Sequence, residues 1–160
     1  MKLNVSMELM KAMDFARDEA MRTGSFSVGA DHLMLGILRE GTGPGCEALE
    51  SLGVNLQEMK QFIDERIFTN EHVAYDQKEN VTYSPQAHSV LSIAVLHGRR
   101  FARTQTTSLE VVMALCSAAG TVSRTFLQEN GVNPERLGAF AATWYADHME
   151  QPAFNEKAAA

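Results

Sequence analysis

A chain of 160 residues, 45% hydrophobic and 21% charged, carries enough apolar side chain for one ordinary core and too much to remain unfolded. Its net charge is −6, and its basic residues are scattered apart from Arg99, Arg100 and Arg103, which excludes a broad phosphate-binding face and makes nucleic acid an unexpected partner. The N-terminus has no signal-peptide pattern and no apolar run approaches the roughly 20 residues that span a bilayer, so the sequence reads as a soluble cytoplasmic protein with no membrane partner.

In chain order, Ser6 is a good N-cap for a helix whose Leu9, Met13, Ala16 and Ala20 fall at spacings of three and four, and Thr23-Gly24 ends it. A short, strongly apolar second helix follows from about Asp31 to Arg39, terminated by Gly41-Thr42-Gly43-Pro44-Gly45. A third covers about Cys46 to Leu52. Asn55, with Glu58 three residues later, resembles a capping box for a fourth helix that runs to about Phe68. Thr69 to Thr82 is polar and short of periodic apolar residues, and reads as a linking loop.

The remaining chain repeats this grammar at an offset of 78 residues: Gly53-Val54-Asn55 is answered by Gly131-Val132-Asn133, Ser6 by Ser84, and Phe62 by Phe140. Only 8 of the 62 positions from residue 6 to 67 are identical, but the apolar pattern agrees: Leu33, Met34, Leu35, Ile37 and Leu38 align with Val111, Val112, Met113, Leu115 and Cys116. Ser84 with Pro85, Ser108, Thr121, and Asn133 with Pro134 supply helix starts where the offset expects them. The expected architecture is therefore all-α: two pseudo-symmetric four-helix repeats in one domain over residues 1–150. Repeat one covers 3–68, the linker 69–82 and repeat two 83–148, with 151–160 read as a disordered tail. Residues 6–67 and 84–145 are expected to superimpose.

Few residue patterns speak for catalysis. Gly41 to Cys46 has the wrong sixth position for a dinucleotide fingerprint and follows no strand, and no P-loop sequence is present. The five histidines include no i, i+4 pair, so neither a metal nor another cofactor is expected. Cys46 and Cys116 read as reduced thiols packed as small hydrophobes. Glu8, Asp14, Asp18 and Glu19 lack the Glu-x-x-His pattern of a di-iron bundle and read as an acidic face. Asp31-His32 stands apart: a carboxylate in a first helical turn is favoured by the macrodipole, and simple capping explains it. The alternative is a corner where the first two helix N-termini meet. There free N–H groups with the Ser6 hydroxyl take an anion and Asp31 takes a guanidinium.

The stretch Val28-Gly29-Ala30-Asp31-His32-Leu33-Met34-Leu35-Gly36-Ile37-Leu38-Arg39-Glu40-Gly41 resembles the signature I-G-T-E-H-L-L-L-G-L-x-R-E-G of the Clp N-terminal repeat domain, nearest the ClpC type, and the likeness continues through Ala48 to Val54. The resemblance implies a non-catalytic domain of an AAA+ unfoldase that receives unfolded or tagged substrates and adaptor proteins and passes them to an ATPase ring in cis or in trans. A stand-alone regulator or accessory subunit of a Clp protease complex is the alternative, and a helical hydrolase or metal enzyme a more distant one. In ClpC-type relatives the acidic residue of this motif and the hydroxyl residue opening helix one form a phosphoarginine pocket, which implies a site at Ser6, Asp31 and His32. Asp in place of Glu shortens the reach of that residue. In repeat two Leu109 occupies the acidic position and Glu110 carries the carboxylate one residue on, so Ser84 and Glu110 are the weaker second candidates.

Overall fold

The computed structural model describes residues 3–150; the tail expected at 151–160 lies outside the described residues. The described residues are mostly helical, with a single two-stranded sheet among them. Helices α1 (Met7–Arg22), α2 (Ala30–Glu40), α3 (Pro44–Ser51) and α4 (Leu56–Ile67) are followed by α5 (Pro85–Arg100), α6 (Ser108–Cys116), α7 (Val122–Glu129) and α8 (Pro134–Asp147). All four helix starts recur at the 78-residue offset, and α1 and α3 recur in α5 and α7 at both ends.

The caps explain the starts. Ser6, Asn55, Ser84, Thr121 and Asn133 each accept a backbone N–H of the first turn they open. Asn55 takes the Glu58 N–H at 3.0 Å. The start of α6 departs from expectation: Thr107 is its N-cap, and Ser108 is the first helical residue. Gly41, at φ 79°, closes α2 in the left-handed conformation that glycine tolerates.

The segment 69–82 is more structured than the linking loop read from its polarity. It contains a 3-10 helix, Tyr75–Asn80, and its Val73 and Val81 are buried. Two buried valines anchor an otherwise solvated strap, a pattern too sparse to give a periodic signal. Immediately afterwards β2 (Thr82–Tyr83) pairs in parallel with β1 (Ser27–Val28), Val28 opposite Tyr83.

A second parallel bridge joins Val5 to Thr106. Adding 78 to Val5 and Val28 gives Tyr83 and Thr106, so the same bridge is made twice, each time between the two halves. Ser6 N–H donates to Thr106 O at 2.8 Å, and Ser84 N–H donates to Val28 O at 2.9 Å. Each half thus sends the residues before its first helix to the start of the other half's second helix. The halves share one core, in which α2 and α6 are central: Leu33, Met34, Leu35, Leu109, Val111 and Leu115 are all at most 2% exposed. Gly36 makes the packing of α2 on α1 close, since a Cβ there would stand 2.2 Å from Ala12 O.

Candidate functional site

Ser6 and Asp31 do not share a corner, which corrects the expected site. Thr23, the C-cap of α1, lies 3.0 Å from His32 Nε2 through its Oγ1, so α2 starts beside the far end of α1. At 1.5 Å per residue the sixteen-residue helix α1 separates Ser6 from that point by about 25 Å. Sequence reasoning paired consecutive helices within one repeat, whereas the strand exchange pairs helix starts across the halves.

Asp31 instead meets the start of α7. Its Oδ2 accepts the Val122 N–H at 3.0 Å, and its Oδ1 accepts the Ser123 N–H at 2.8 Å and the Ser123 hydroxyl at 2.6 Å. Both oxygens are therefore engaged on a helix N-terminus that attracts negative charge. Ser84, the repeat-two candidate, is held to the first half through Val28 O, and its Oγ accepts the Ala87 N–H at 3.0 Å.

The corresponding corner, at the start of α6, is filled by Glu8. Its Oε1 accepts the Ser6 hydroxyl at 2.6 Å and the Ser108 N–H at 3.3 Å, while its Oε2 is buried with no donor among the described residues. Ser108 Oγ in turn accepts the Gly45 N–H of α3 at 2.9 Å. Ser6 Oγ also accepts the Leu9 N–H at 3.3 Å. The hydroxyl is thus committed to its own helix and to Glu8.

His32 and Glu110, equivalent at the offset, each occupy the third helical position and reach back to their N-cap. His32 Nδ1 accepts the Gly29 N–H at 2.9 Å. Thr23 gives its hydroxyl hydrogen to Glu19 O at 2.8 Å, so His32 Nε2 carries the ring proton and donates it to Thr23. Burial lowers the imidazole pKa, and protonation would set an Nδ1–H against the Gly29 N–H. Glu110 is fully buried; it accepts the Thr107 N–H at 2.6 Å, the Thr107 hydroxyl at 3.0 Å and the Tyr145 hydroxyl. Burial raises its pKa against the opposing effect of these donors. Both side chains spend their polar atoms on these internal bonds. Glu110, the second binding candidate, therefore serves as an internal cap of α6, and Leu109, the residue equivalent to Asp31, is fully buried.

The open surface lies elsewhere. A cavity of about 740 Å³ is bounded by Asp18, Arg22, Arg39, Phe68, His72 and Tyr75. Its cations are paired: Arg22 with Glu19 and Asp64 at 3.0 and 2.7 Å, Arg39 with Asp18 and Glu19 at 3.8 and 3.5 Å. A groove of about 320 Å³ runs along α1 between Leu3, Val5, Met10, Met13, Arg17 and Tyr83. Beside it Met7 and Met10 are 70% and 56% exposed. Sequence reading missed this groove because Leu3 and Tyr83, far apart in the chain, meet only through the strand exchange. The spacing Met7, Met10, Asp14, Arg17 along one helix face was the available signal.

Both thiols are buried and unpaired, and burial pushes that of Cys46 up to about 12. Among the described residues no three His, Cys, Asp or Glu side chains assemble as metal ligands, and no helix is long and apolar enough to cross a membrane.

These features place the molecule among small all-α domains of the Clp N-terminal type. Residues 4–137 match the family model of the Clp repeat (R) N-terminal domain, and the chain belongs to that family. It is similar to the negative regulator of genetic competence ClpC/MecB of Bacillus subtilis (strain 168), with 24% identity over 123 residues covering 77% of this chain and 15% of that protein. To the chloroplastic chaperone protein ClpC2 of Oryza sativa subsp. japonica it is 26% identical over 129 residues, 80% of this chain and 14% of that protein. The chain thus spans about 15% of the length of these relatives. Among solved structures it resembles the N-terminal domain of ClpD from Arabidopsis thaliana, with a TM-score of 0.69 at 20% identity over 89% of this chain and 95% of that one. The Hsp104 N-terminal domain from Candida albicans gives a TM-score of 0.66 at 12% identity over 86% and 89%. At such identities these structures speak for the fold alone.

Proposed function

We propose that this domain is the non-catalytic docking module of a Clp-type ATP-dependent unfoldase, built from two unequal four-helix repeats, and that it binds unfolded segments or adaptor proteins for an AAA+ ring in the cytoplasm. The observation that carries the reading is the methionine-lined groove on α1. Thioether side chains are flexible and polarizable, so such a surface accommodates segments of differing shape. Met7 and Met10 project where nothing among the described residues covers them.

Phosphoarginine at the Asp31 corner is the less favoured ligand, because both carboxylate oxygens already hold the start of α7. A bound guanidinium would have to displace hydrogen bonds that also cap a helix.

The test is fluorescence anisotropy with a labelled, carboxymethylated unfolded protein as probe, comparing wild type with Met10→Asp and Asp31→Ala. The expected result is binding by wild type, a loss of about tenfold or more for Met10→Asp, and binding by Asp31→Ala within about twofold of wild type. Equal binding by Met10→Asp would move the site away from the groove, and absence of binding by wild type would overturn the docking role.

A further inference from the structure

The loop between α5 and α6 holds a carboxylate. After Ala102, whose φ of 58° lies in the left-handed region, the backbone turns so that successive N–H groups converge. Glu150 Oε1 accepts the Thr104 N–H at 3.0 Å, the Gln105 N–H at 2.6 Å and the Thr104 hydroxyl at 3.1 Å, and its Oε2 accepts the Thr104 N–H at 2.8 Å. Burial raises the carboxyl pKa, yet these donors and the Arg103 charge outweigh it and hold the group below its ordinary value.

Two further donors at this place lack acceptors. Arg103 Nε and Trp144 Nε1 are buried and find no hydrogen-bond partner among the described residues, although burying such groups unpaired is costly. Arg103 lies over the Tyr145 ring at 4.8 Å and sends its Nη1 to His148 O at 2.8 Å, which fixes the guanidinium at the rim. Cavities of about 540 and 240 Å³ flank the loop and share Arg103, Thr104 and Gln105 in their walls, with Arg99 lining the second.

The equivalent loop in the first half, 25–27, has no such seat. There the Ser25 hydroxyl accepts the Ser27 N–H at 3.1 Å and closes the turn on itself. An anion receptor is therefore not a requirement of the fold.

We propose that the Arg103–Gln105 loop is a receptor for a carboxylate on an acidic peptide segment, and that Glu150 is its tethered stand-in, displaced when such a segment docks. The converging amides suit a planar carboxylate. The unpartnered Arg103 Nε and Trp144 Nε1 donors suit the further carbonyl or carboxylate oxygens that a peptide carries and a single inorganic anion lacks. Such a seat stands independently of the α1 groove and of any attached ATPase.

Trp144 is the only tryptophan in the chain and stacks on His148 at 4.2 Å, so its fluorescence reports the seat. Wild type, Glu150→Ala and Arg103→Gln are titrated with a hexaglutamate peptide and, separately, with inorganic phosphate. NMR follows the Thr104 and Gln105 amides. With the tethered competitor removed, Glu150→Ala is expected to bind the peptide about tenfold or more tightly than wild type and to shift both amides; Arg103→Gln is expected to weaken binding. Equal affinities of wild type and Glu150→Ala, or no amide shift in Glu150→Ala, would overturn the proposal. Phosphate binding as tight as hexaglutamate would overturn the peptide assignment.

Discussion

The corners at the starts of α7 and α3 occupy equivalent places, yet one uses a carboxylate and the other does not. At α7, Asp31 accepts from Val122 N–H, Ser123 N–H and the Ser123 hydroxyl. The residues equivalent to Val122 and Ser123 are Pro44 and Gly45. Pro44 has no N–H, Gly45 has no side chain, and the one remaining donor, Gly45 N–H, goes to Ser108 Oγ. None of the three donors that hold Asp31 is left for an acid at position 109 to accept, so a buried leucine is tolerated there. The lesson is that Asp31 and Leu109 answer the donors of the neighbouring helix start. Their difference follows from Val122-Ser123 against Pro44-Gly45 without any appeal to a ligand.

The comparison breaks most sharply with Leu109→Asp. A carboxylate there would be fully buried and opposite a proline, and about 3–5 kcal/mol of stability should be lost in chemical denaturation. A loss below about 1 kcal/mol would show that the second corner can still host an acid. Asp31→Ala should cost less, about 1–3 kcal/mol, because it leaves two backbone donors of α7 unpaired at a half-buried site. A neutral Asp31→Ala would separate that residue from helix capping and return it to ligand binding.

The smallest effect expected is in pH dependence, where the two equivalent N-terminal caps should act oppositely. His32 has a lowered pKa in the folded chain, so it binds fewer protons folded than unfolded. Its contribution to stability is intact above its ordinary value near 6.5 and is lost as the pH falls from there through the folded pKa. Glu110 has a raised pKa; its effect is to lower stability as the pH rises from its ordinary value near 4.5 through the folded one. Denaturation midpoints from pH 7 downward should therefore fall less steeply in His32→Gln than in wild type, and an unchanged slope would remove His32 from the acid response.

Much of the fold was legible in the chain. Ser6, Asn55, Ser84, Thr121 and Asn133 open helices because each offers a side-chain acceptor to a first turn that has none of its own. The apolar runs Leu33–Leu38 and Val111–Cys116 are buried as their patterns required. The strap 69–82 is more ordered than its polarity implies, since Val73 and Val81 anchor it singly and leave no period.

The binding corner was not legible, for a physical reason. Sequence by itself determined most of the residues that cap, which are apolar, and that the grammar recurs at 78 residues, because these depend on neighbours within a few positions along the chain. Only the tertiary structure decided that Val5 pairs with Thr106 and Val28 with Tyr83. That exchange sets Ser6 beside Glu8 and Ser108, turns Asp31 onto Val122 and Ser123, and leaves Glu110 inside the core. Backbone pairing between segments about a hundred and about fifty residues apart leaves no periodic signal in either one, so the partners of each polar side chain were fixed only when the two halves closed on each other.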